Sequence, residues 1–181
     1  MAEIVLVRHG ESEWNARGLW QGQADPPLSP RGRHQAEHAA GRFALLAPAA
    51  LYTSDLARAR QTAEILGRAL ALEPRPERRL REFHVGVWAG LSVAEIEAGW
   101  PGQYARFRAR EPDVRPGGGE SPRELLARVR AALDAIAARH PGETVIAVSH
   151  GGVARSLARA SLEHLDALRL RRAPDGGWSP T

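Results

Sequence analysis

The sequence predicts a three-layer α/β/α sandwich around a mainly parallel central sheet. Three observations predict it. Short β-rich runs occur at 3–8, 50–53 and 144–148, and runs of this length with little polar relief read as strands buried on both faces. A helical pattern follows each run, and strands alternating with helices argue for a parallel sheet covered on both sides. Two of the runs also end alike, in Val7-Arg8-His9-Gly10 and in Val148-Ser149-His150-Gly151-Gly152.

The elements follow in order. Glu3-Ile4-Val5-Leu6-Val7-Arg8 is the first strand, and His9 to Ser12 is a polar turn. Residues 16–29 carry Gly, Pro and Asp and read as loop. Ser29-Pro30 starts a helix, with a hydroxyl cap and a proline at the first helical position. This helix runs to about Leu46 with Ala36, Ala39, Ala40, Phe43 and Ala47 as its buried face. A strand at 50–53 and a helix at about 55–72 come next, and Pro74 and Pro76 break the pattern. Residues 79–91 are irregular. Short helices fit 92–99 and 101–110, and 116–119 is a loop. Ser121-Pro122-Arg123-Glu124 is a capping box, followed by Leu125, Leu126, Val129, Leu133 and Ile136 at helical spacing. That helix ends near His140-Pro141-Gly142. The strand at 144–148 then leads into a helix expected to reach about Leu162. With no internal repeat and no linker, residues 1–181 read as one domain.

Composition narrows the class. Hydrophobic residues are 43% and charged residues 25%, ordinary for a soluble globular chain. The longest apolar runs, such as Ile4 to Val7, are too short to span a bilayer. No charged-then-apolar leader opens the chain, so a cytoplasmic location is expected. The absence of Cys removes disulfides, thiolate zinc sites and cysteine nucleophiles. Twenty-five basic against 21 acidic residues give only +4. The isoelectric point of about 10.7 arises because every basic residue is Arg, so little titrates between His and Arg. The arginines are interspersed with acids rather than gathered in a tail. Neither nucleic acid nor membrane is therefore an expected partner. Arginine in place of lysine, abundant Ala and a single Asn fit a GC-rich genome or heat adaptation.

The chemistry should lie beyond the carboxyl ends of the strands, where open α/β sheets bind ligands. His9 and His150 both fall there, each followed by glycine, which lets backbone amides approach an anion. The plain alternative is that each His caps a strand and each Gly turns the chain. Arg58 sits in the first turn of a helix, where the dipole disfavours a cation by roughly 0.3–1 kcal/mol and a bound anion reverses the sign. Arg60 reads as a solvated surface residue. Arg8, His9, Arg58 and His150 together suit a phosphoryl group: Arg is a planar fork for phosphate oxygens, and neutral imidazole is a nucleophile near pH 7. A general acid must protonate the leaving oxygen, and Glu82 in Leu80-Arg81-Glu82-Phe83-His84 is a candidate among many carboxylates.

Arg8-His9-Gly10-Glu11-Ser12-Glu13-Trp14-Asn15 resembles the signature of the histidine phosphatase superfamily, which includes the cofactor-dependent phosphoglycerate mutases. The resemblance continues through Gln21-Gly22, Asp25, Pro27-Leu28-Ser29, Gly32, Gln35-Ala36, Ser54-Asp55-Leu56, Arg58-Ala59 and Gln61-Thr62-Ala63. It runs on through Glu82, Gly86, Gly90, Gly118-Gly119-Glu120-Ser121 and Ser149-His150-Gly151-Gly152, from about residue 4 to 160 in order. It implies a phosphoglycerate mutase-like fold, His9 as the nucleophile that becomes phosphorylated, and Arg8, Arg58 and His150 as the phosphate pocket. It also implies Glu82 as the proton donor, Asn15 as a further phosphate ligand, and Gln21, Gly22 and Gly151 near the substrate. No metal or other cofactor is implied, apart from a 2,3-bisphosphoglycerate primer if the chain is a mutase. The partner implied is a small phosphorylated metabolite. Only 67 positions separate Glu82 from Ser149, where mutases carry an insertion, so the resemblance favours the compact phosphatase branch over a mutase. A non-catalytic binder of phosphate ligands or nucleic acid is the third reading. After Leu162 the sequence leaves the family's final strand abbreviated or missing, which leaves the sheet edge and a homodimer open.

Other candidates are weaker. His34-Gln35-Ala36-Glu37-His38 matches the His-x-x-Glu-His pattern of some zinc peptidases. Both histidines, however, lie about 160° from the helix's apolar face at ~100° per residue. His140 reads as a helix C-terminal residue and His164 as a tail residue. His84 could line the pocket. Ser149 lacks the Gly-x-Ser-x-Gly elbow of a serine hydrolase. Trp20 and Trp88 lie in loops near the motifs, where a substrate role is open, and Trp14 and Trp100 read as core.

Overall fold

Among the residues described by the computed structural model, 2–173 and 176–181, six strands form one sheet. They are β1 (Glu3–Arg8), β2 (Ala50–Thr53), β3 (Pro74–Pro76), β4 (Thr144–Ser149), β5 (Ala167–Arg172) and β6 (Trp178–Pro180), in spatial order β3-β2-β4-β1-β5-β6. The β2–β3, β2–β4 and β1–β4 pairs are parallel, while the β1–β5 and β5–β6 pairs are antiparallel. The helices are α1 (Glu13–Ala16), α2 (Pro30–Ala44), α3 (Ala57–Leu70), α4 (Val93–Gly99), α5 (Pro101–Arg108), α6 (Pro122–Arg139) and α7 (Gly151–Ala158). The sandwich with a mainly parallel sheet is as the sequence predicts.

Alternation along β1 splits the core into two clusters. Ile4 and Leu6 pack on one face with Leu125, Val129, Leu133 and Ile136 of α6 and Val153 of α7. Val5 and Val7 pack on the other with Ala36, Ala40 and Phe43 of α2 and Ala63 and Leu66 of α3. Both faces of β1 and β4 are covered, which is why their sequences read as unbroken apolar runs. The helix starts follow the sequence. Ser29 Oγ accepts from the Gly32 N–H at 3.0 Å. Ser121 and Glu124 exchange the two bonds of the capping box. Among the described residues, no helix is long and apolar enough to cross a membrane.

Four expectations are corrected here. Pro74 and Pro76 form edge strand β3 instead of merely breaking the chain; lacking N–H groups, prolines are tolerated at a sheet edge. The helix after His150 stops at Ala158, because Arg159 turns into the left-handed region at φ 55°. The closing strand is not missing. Leu168 and Leu170 face inward along β5 while Arg169 and Arg171 reach out to Glu3, and β6 adds Trp178 to the core. The tail positions 174–175 lie outside the described residues. Ala47 falls beyond the end of α2 and is exposed.

Candidate active site

The parallel register pairs Arg8 with Ser149, so His9 and His150 leave adjacent strand ends together. Their ring centroids are 5.1 Å apart, and both rings are buried. His9 Nδ1 lies 2.6 Å from the Gly10 carbonyl oxygen. A carbonyl only accepts, so Nδ1 carries the proton and Nε2 the lone pair. Arg58 donates from Nε to that Nε2 at 3.2 Å, which requires the same tautomer. Burial, and then the Arg58 charge, hold the His9 pKa well below 6.5, so the imidazole is neutral at pH 7.

Arg58 is the second residue of α3 and only 1% exposed. Its guanidinium also donates to the carbonyls of Gly22 (2.8 Å) and Ala24 (2.9 Å), and burial lowers its pKa to about 10. Gly22 is required by its φ of +51°, and a Cβ there would lie 2.5 Å from the Val85 side chain. Arg8 donates from Nη1 to Leu162 O at 2.6 Å and from Nη2 to His164 Nε2 at 3.2 Å. His150 Nε2 bonds Ser54 Oγ at 2.9 Å. Arg8 Nε and His150 Nδ1 are buried without partners among the described residues. Leaving such a group unsatisfied costs about 1–3 kcal/mol, and the oxygens of an anion seated beside His9 would remove that cost.

Glu82 closes the site. Its Oε2 accepts from the Gly152 N–H and its Oε1 from the Phe83 N–H, each at 2.9 Å. Its loop is fixed by Arg128, which donates to the carbonyls of Arg79, Arg81 and Glu82 and holds Glu120 through Nε and Nη2. Asn15 Oδ1 accepts from the Ser12 N–H at 3.1 Å, and Gln21 Oε1 from Ser12 Oγ at 2.6 Å. A cavity of about 920 Å³ is lined by Arg8, His9, Asn15, Gln21, Gly22, Arg58, Glu82 and Gly151. His150 lies beside His9, their ring centroids 5.1 Å apart. All nine residues singled out in the sequence are thus in one place.

Of the remaining readings, those for His164, His84, Trp14 and Trp100 fail, whereas His140 at its helix end and the exposed Arg60, His34 and His38 are placed as the sequence predicts. His164 is not a peripheral tail residue. Its Nε2 lies 3.2 Å from Arg8 Nη2 and 3.3 Å from Asn15 Oδ1, and its ring is 6.1 Å from that of His9. Burial and Arg8 push its pKa down to about 4. The missed signal was the alternation of Leu168 and Leu170. A strand there pairs with β1 and carries 162–166 back over Arg8, with the Arg8 N–H bonded to Asp166 O and the Leu165 N–H to Arg8 O. Arg128 is marked by nothing local, and Ser54 belongs to the quoted motif without a role of its own until the structure sets it on His150. His84 is exposed and lies outside the cavity. Trp88 is core at 0% exposure, whereas Trp20 lines the cavity and packs edge-on against Trp88. Trp100 is 37% exposed and Trp14 half-buried, so neither is core. Ser149 Oγ donates to Leu80 O and takes no part. His140 caps α6 between Tyr52 and Glu143. Arg60 is exposed beside Glu64. His34 and His38 are exposed, and no group of potential metal ligands occurs among the described residues.

The model of the histidine phosphatase superfamily (branch 1) matches residues 4–178. The chain belongs to this superfamily. Among superfamily relatives, it is 43% identical to phosphoglycerate mutase-like protein 4 of Arabidopsis thaliana over 86% of this chain and 69% of that one. It is 42% identical to the metal-independent phosphoserine phosphatase of the same plant, over 87% and 67%. The solved mycobacterial glucosyl-3-phosphoglycerate phosphatase in complex with VO3 superposes with a TM-score of 0.88 at 32% identity, covering 99% of this chain and 96% of that one.

Proposed function

We propose that the chain hydrolyses phosphomonoesters of small phosphorylated metabolites through a phosphohistidine at His9. The observation that carries this reading is the buried, neutral His9 on the cavity wall, its Nδ1 held by the Gly10 carbonyl so that its Nε2 carries the lone pair beside the Arg58 guanidinium. In the first step Nε2 attacks phosphorus as the bond to the leaving oxygen breaks, and Glu82 gives that oxygen its proton. Arg8, Arg58, Asn15 and His150 hold the charge on the remaining phosphoryl oxygens. In the second step water attacks the phosphohistidine, Glu82 takes its proton, and the electron pair of the P–N bond returns to Nε2. No residue in this scheme needs a metal.

Two of the three relatives described are named phosphatases, which supports hydrolysis; the mutase-like relative supports the alternative of 2- and 3-phosphoglycerate interconversion. A cytoplasmic place of work, a homodimer and heat adaptation belong to the same reading.

Phosphorus NMR with 3-phosphoglycerate, a trace of 2,3-bisphosphoglycerate and EDTA tests it. Inorganic phosphate should grow without 2-phosphoglycerate, and His9→Ala should abolish that growth. Accumulating 2-phosphoglycerate would make the chain a mutase, and activity retained without His9 would end the scheme.

A further inference from the structure

Phosphoryl transfer asks opposite things of the two adjacent histidines. His9 must show phosphorus a lone pair, whereas His150 must show a phosphoryl oxygen an N–H. Both rings are buried, and burial together with the Arg58 charge holds both pKa values well below 6.5. Each ring is therefore neutral at pH 7 and carries one proton. Which nitrogen holds that proton decides what the ring can do.

For His9 the Gly10 carbonyl decides it, and Nδ1 holds the proton. No carbonyl bonds either nitrogen of His150 among the described residues. Its Nδ1 is buried without a partner, and its Nε2 lies 2.9 Å from Ser54 Oγ. Ser54 directly follows β2 and is 0% exposed. Its backbone N–H donates to Val148 O at 2.9 Å, which seats the residue beside the end of β4. Its hydroxyl has one other described neighbour, the Leu56 N–H at 3.4 Å, which only donates. Among the described residues the hydroxyl proton thus has a single acceptor, the Nε2 lone pair.

With the ring proton on Nε2, the Ser54 hydroxyl would accept from both neighbours and its own proton would be buried without a partner. Nδ1 would then present a lone pair, which repels a phosphoryl oxygen. With the proton on Nδ1, Ser54 is satisfied and only the Nδ1–H stays open. Unmet buried donors and acceptors are costly, so the second arrangement prevails. The site's other orphan, Arg8 Nε, is also a donor. Two orphaned donors match the oxygens of an anion.

We propose that Ser54 is a positioning residue: its hydroxyl, donating to His150 Nε2, locks the ring proton on Nδ1 and makes His150 a hydrogen-bond donor to the phosphoryl group. The inference rests on the phosphatase reading and adds the residue that sets the second histidine. The two rings share one tautomer and use it in opposite senses. His9 spends its Nδ1–H on Gly10 and frees Nε2, whereas His150 spends Nε2 on Ser54 and frees its Nδ1–H.

Long-range proton–nitrogen NMR spectra of the histidine rings near pH 7 test this on the wild-type protein. The His150 signals are those missing from His150→Gln. Their bare nitrogen should be Nε2 and their protonated one Nδ1; the reverse overturns the proposal. In Ser54→Ala some or all of the proton should move to Nε2. The inhibition constant of inorganic phosphate should then rise, and kcat/KM for 4-nitrophenyl phosphate fall, by about tenfold or more, as a hydrogen bond to a charged group is lost. Ser54→Thr keeps the hydroxyl, so it should keep the Nδ1–H and bring both constants within about threefold of wild type. A serine that merely fills space would lose activity with the ring proton in place. Ser54→Ala with His150 still protonated on Nδ1, or with both constants unchanged, therefore overturns the proposal. No phosphate release from 4-nitrophenyl phosphate by the wild type sinks the phosphatase reading itself, and the ring spectrum still decides the role of Ser54.

Discussion

Gly152→Ala separates stability from chemistry at one atom. Gly152 is helical, in the first turn of α7, so alanine suits its backbone and should stabilise the helix by roughly 0.5–1 kcal/mol. The added Cβ, however, would lie 2.2 Å from Glu82 Oε1 and 2.8 Å from its Cδ. Ordinary contacts begin near 3.5 Å, so the carboxyl must retreat by about 1 Å, and its bond from the Gly152 N–H is lost or stretched. A misplacement of that size costs about 10²-fold, at the lower end of the 10²–10⁴ supplied by general acid–base catalysis. The assay is stopped-flow phosphate or nitrophenolate release. Turnover of alkyl phosphates should fall about 100-fold. With 4-nitrophenyl phosphate, whose leaving group needs no proton, one nitrophenolate per enzyme should appear in a burst, followed by slow turnover as phospho-His9 waits for its base. Alkyl phosphate turnover within about threefold of wild type, or equal losses on both substrates without a burst, would refute Glu82 as the acid and base.

Two further outcomes follow from the histidines. His164→Ala deprives Arg8 Nη2 of its acceptor, so the competitive inhibition constant of inorganic phosphate should rise about three- to tenfold while kcat changes less; an unchanged constant would mean that Arg8 needs no such support. His9, His150 and His164 all have folded-state pKa values lowered below 6.5, the last to about 4. Below 6.5 the unfolded chain therefore binds more protons than the folded one, and stability rises with pH across the window beneath that value. The melting temperature should be level above pH 7 and fall by at least about 2–4 °C toward pH 5, and a flat calorimetric profile would contradict the burial of these rings.

The central strands were legible because burial on both faces leaves an apolar run, and the two strand-end histidines because each is followed by glycine. Serine caps and the capping box marked helix starts through purely local hydrogen bonds. The hidden parts depended on distant partners. β3 hid behind Pro74 and Pro76, whose helix-breaking signal masks their tolerance at an edge. β5 hid because its outward Arg169 and Arg171 gave a polar look to a period-2 strand. His164 lies in an irregular segment, and only the pairing of β5 with β1 brings it to Arg8. The resemblance located His9, Glu82 and His150 but not Arg128, whose three bonds to the carbonyls of Arg79, Arg81 and Glu82 join α6 to residues far away in the chain.

The position of β1 between β4 and β5 also governs how the protein is made. The ribosome delivers β1 first, while both strands that will flank it are encoded near the other end. Through most of synthesis the strand that leads into His9 has two open hydrogen-bonding edges and an apolar face on each side, the condition that invites capture by another nascent chain. Closure of the catalytic centre is consequently a late, long-range event. A chain that stalls at the end of α7 carries His9, Arg58, Glu82 and His150 but lacks Leu162 and His164, the two partners of the Arg8 guanidinium.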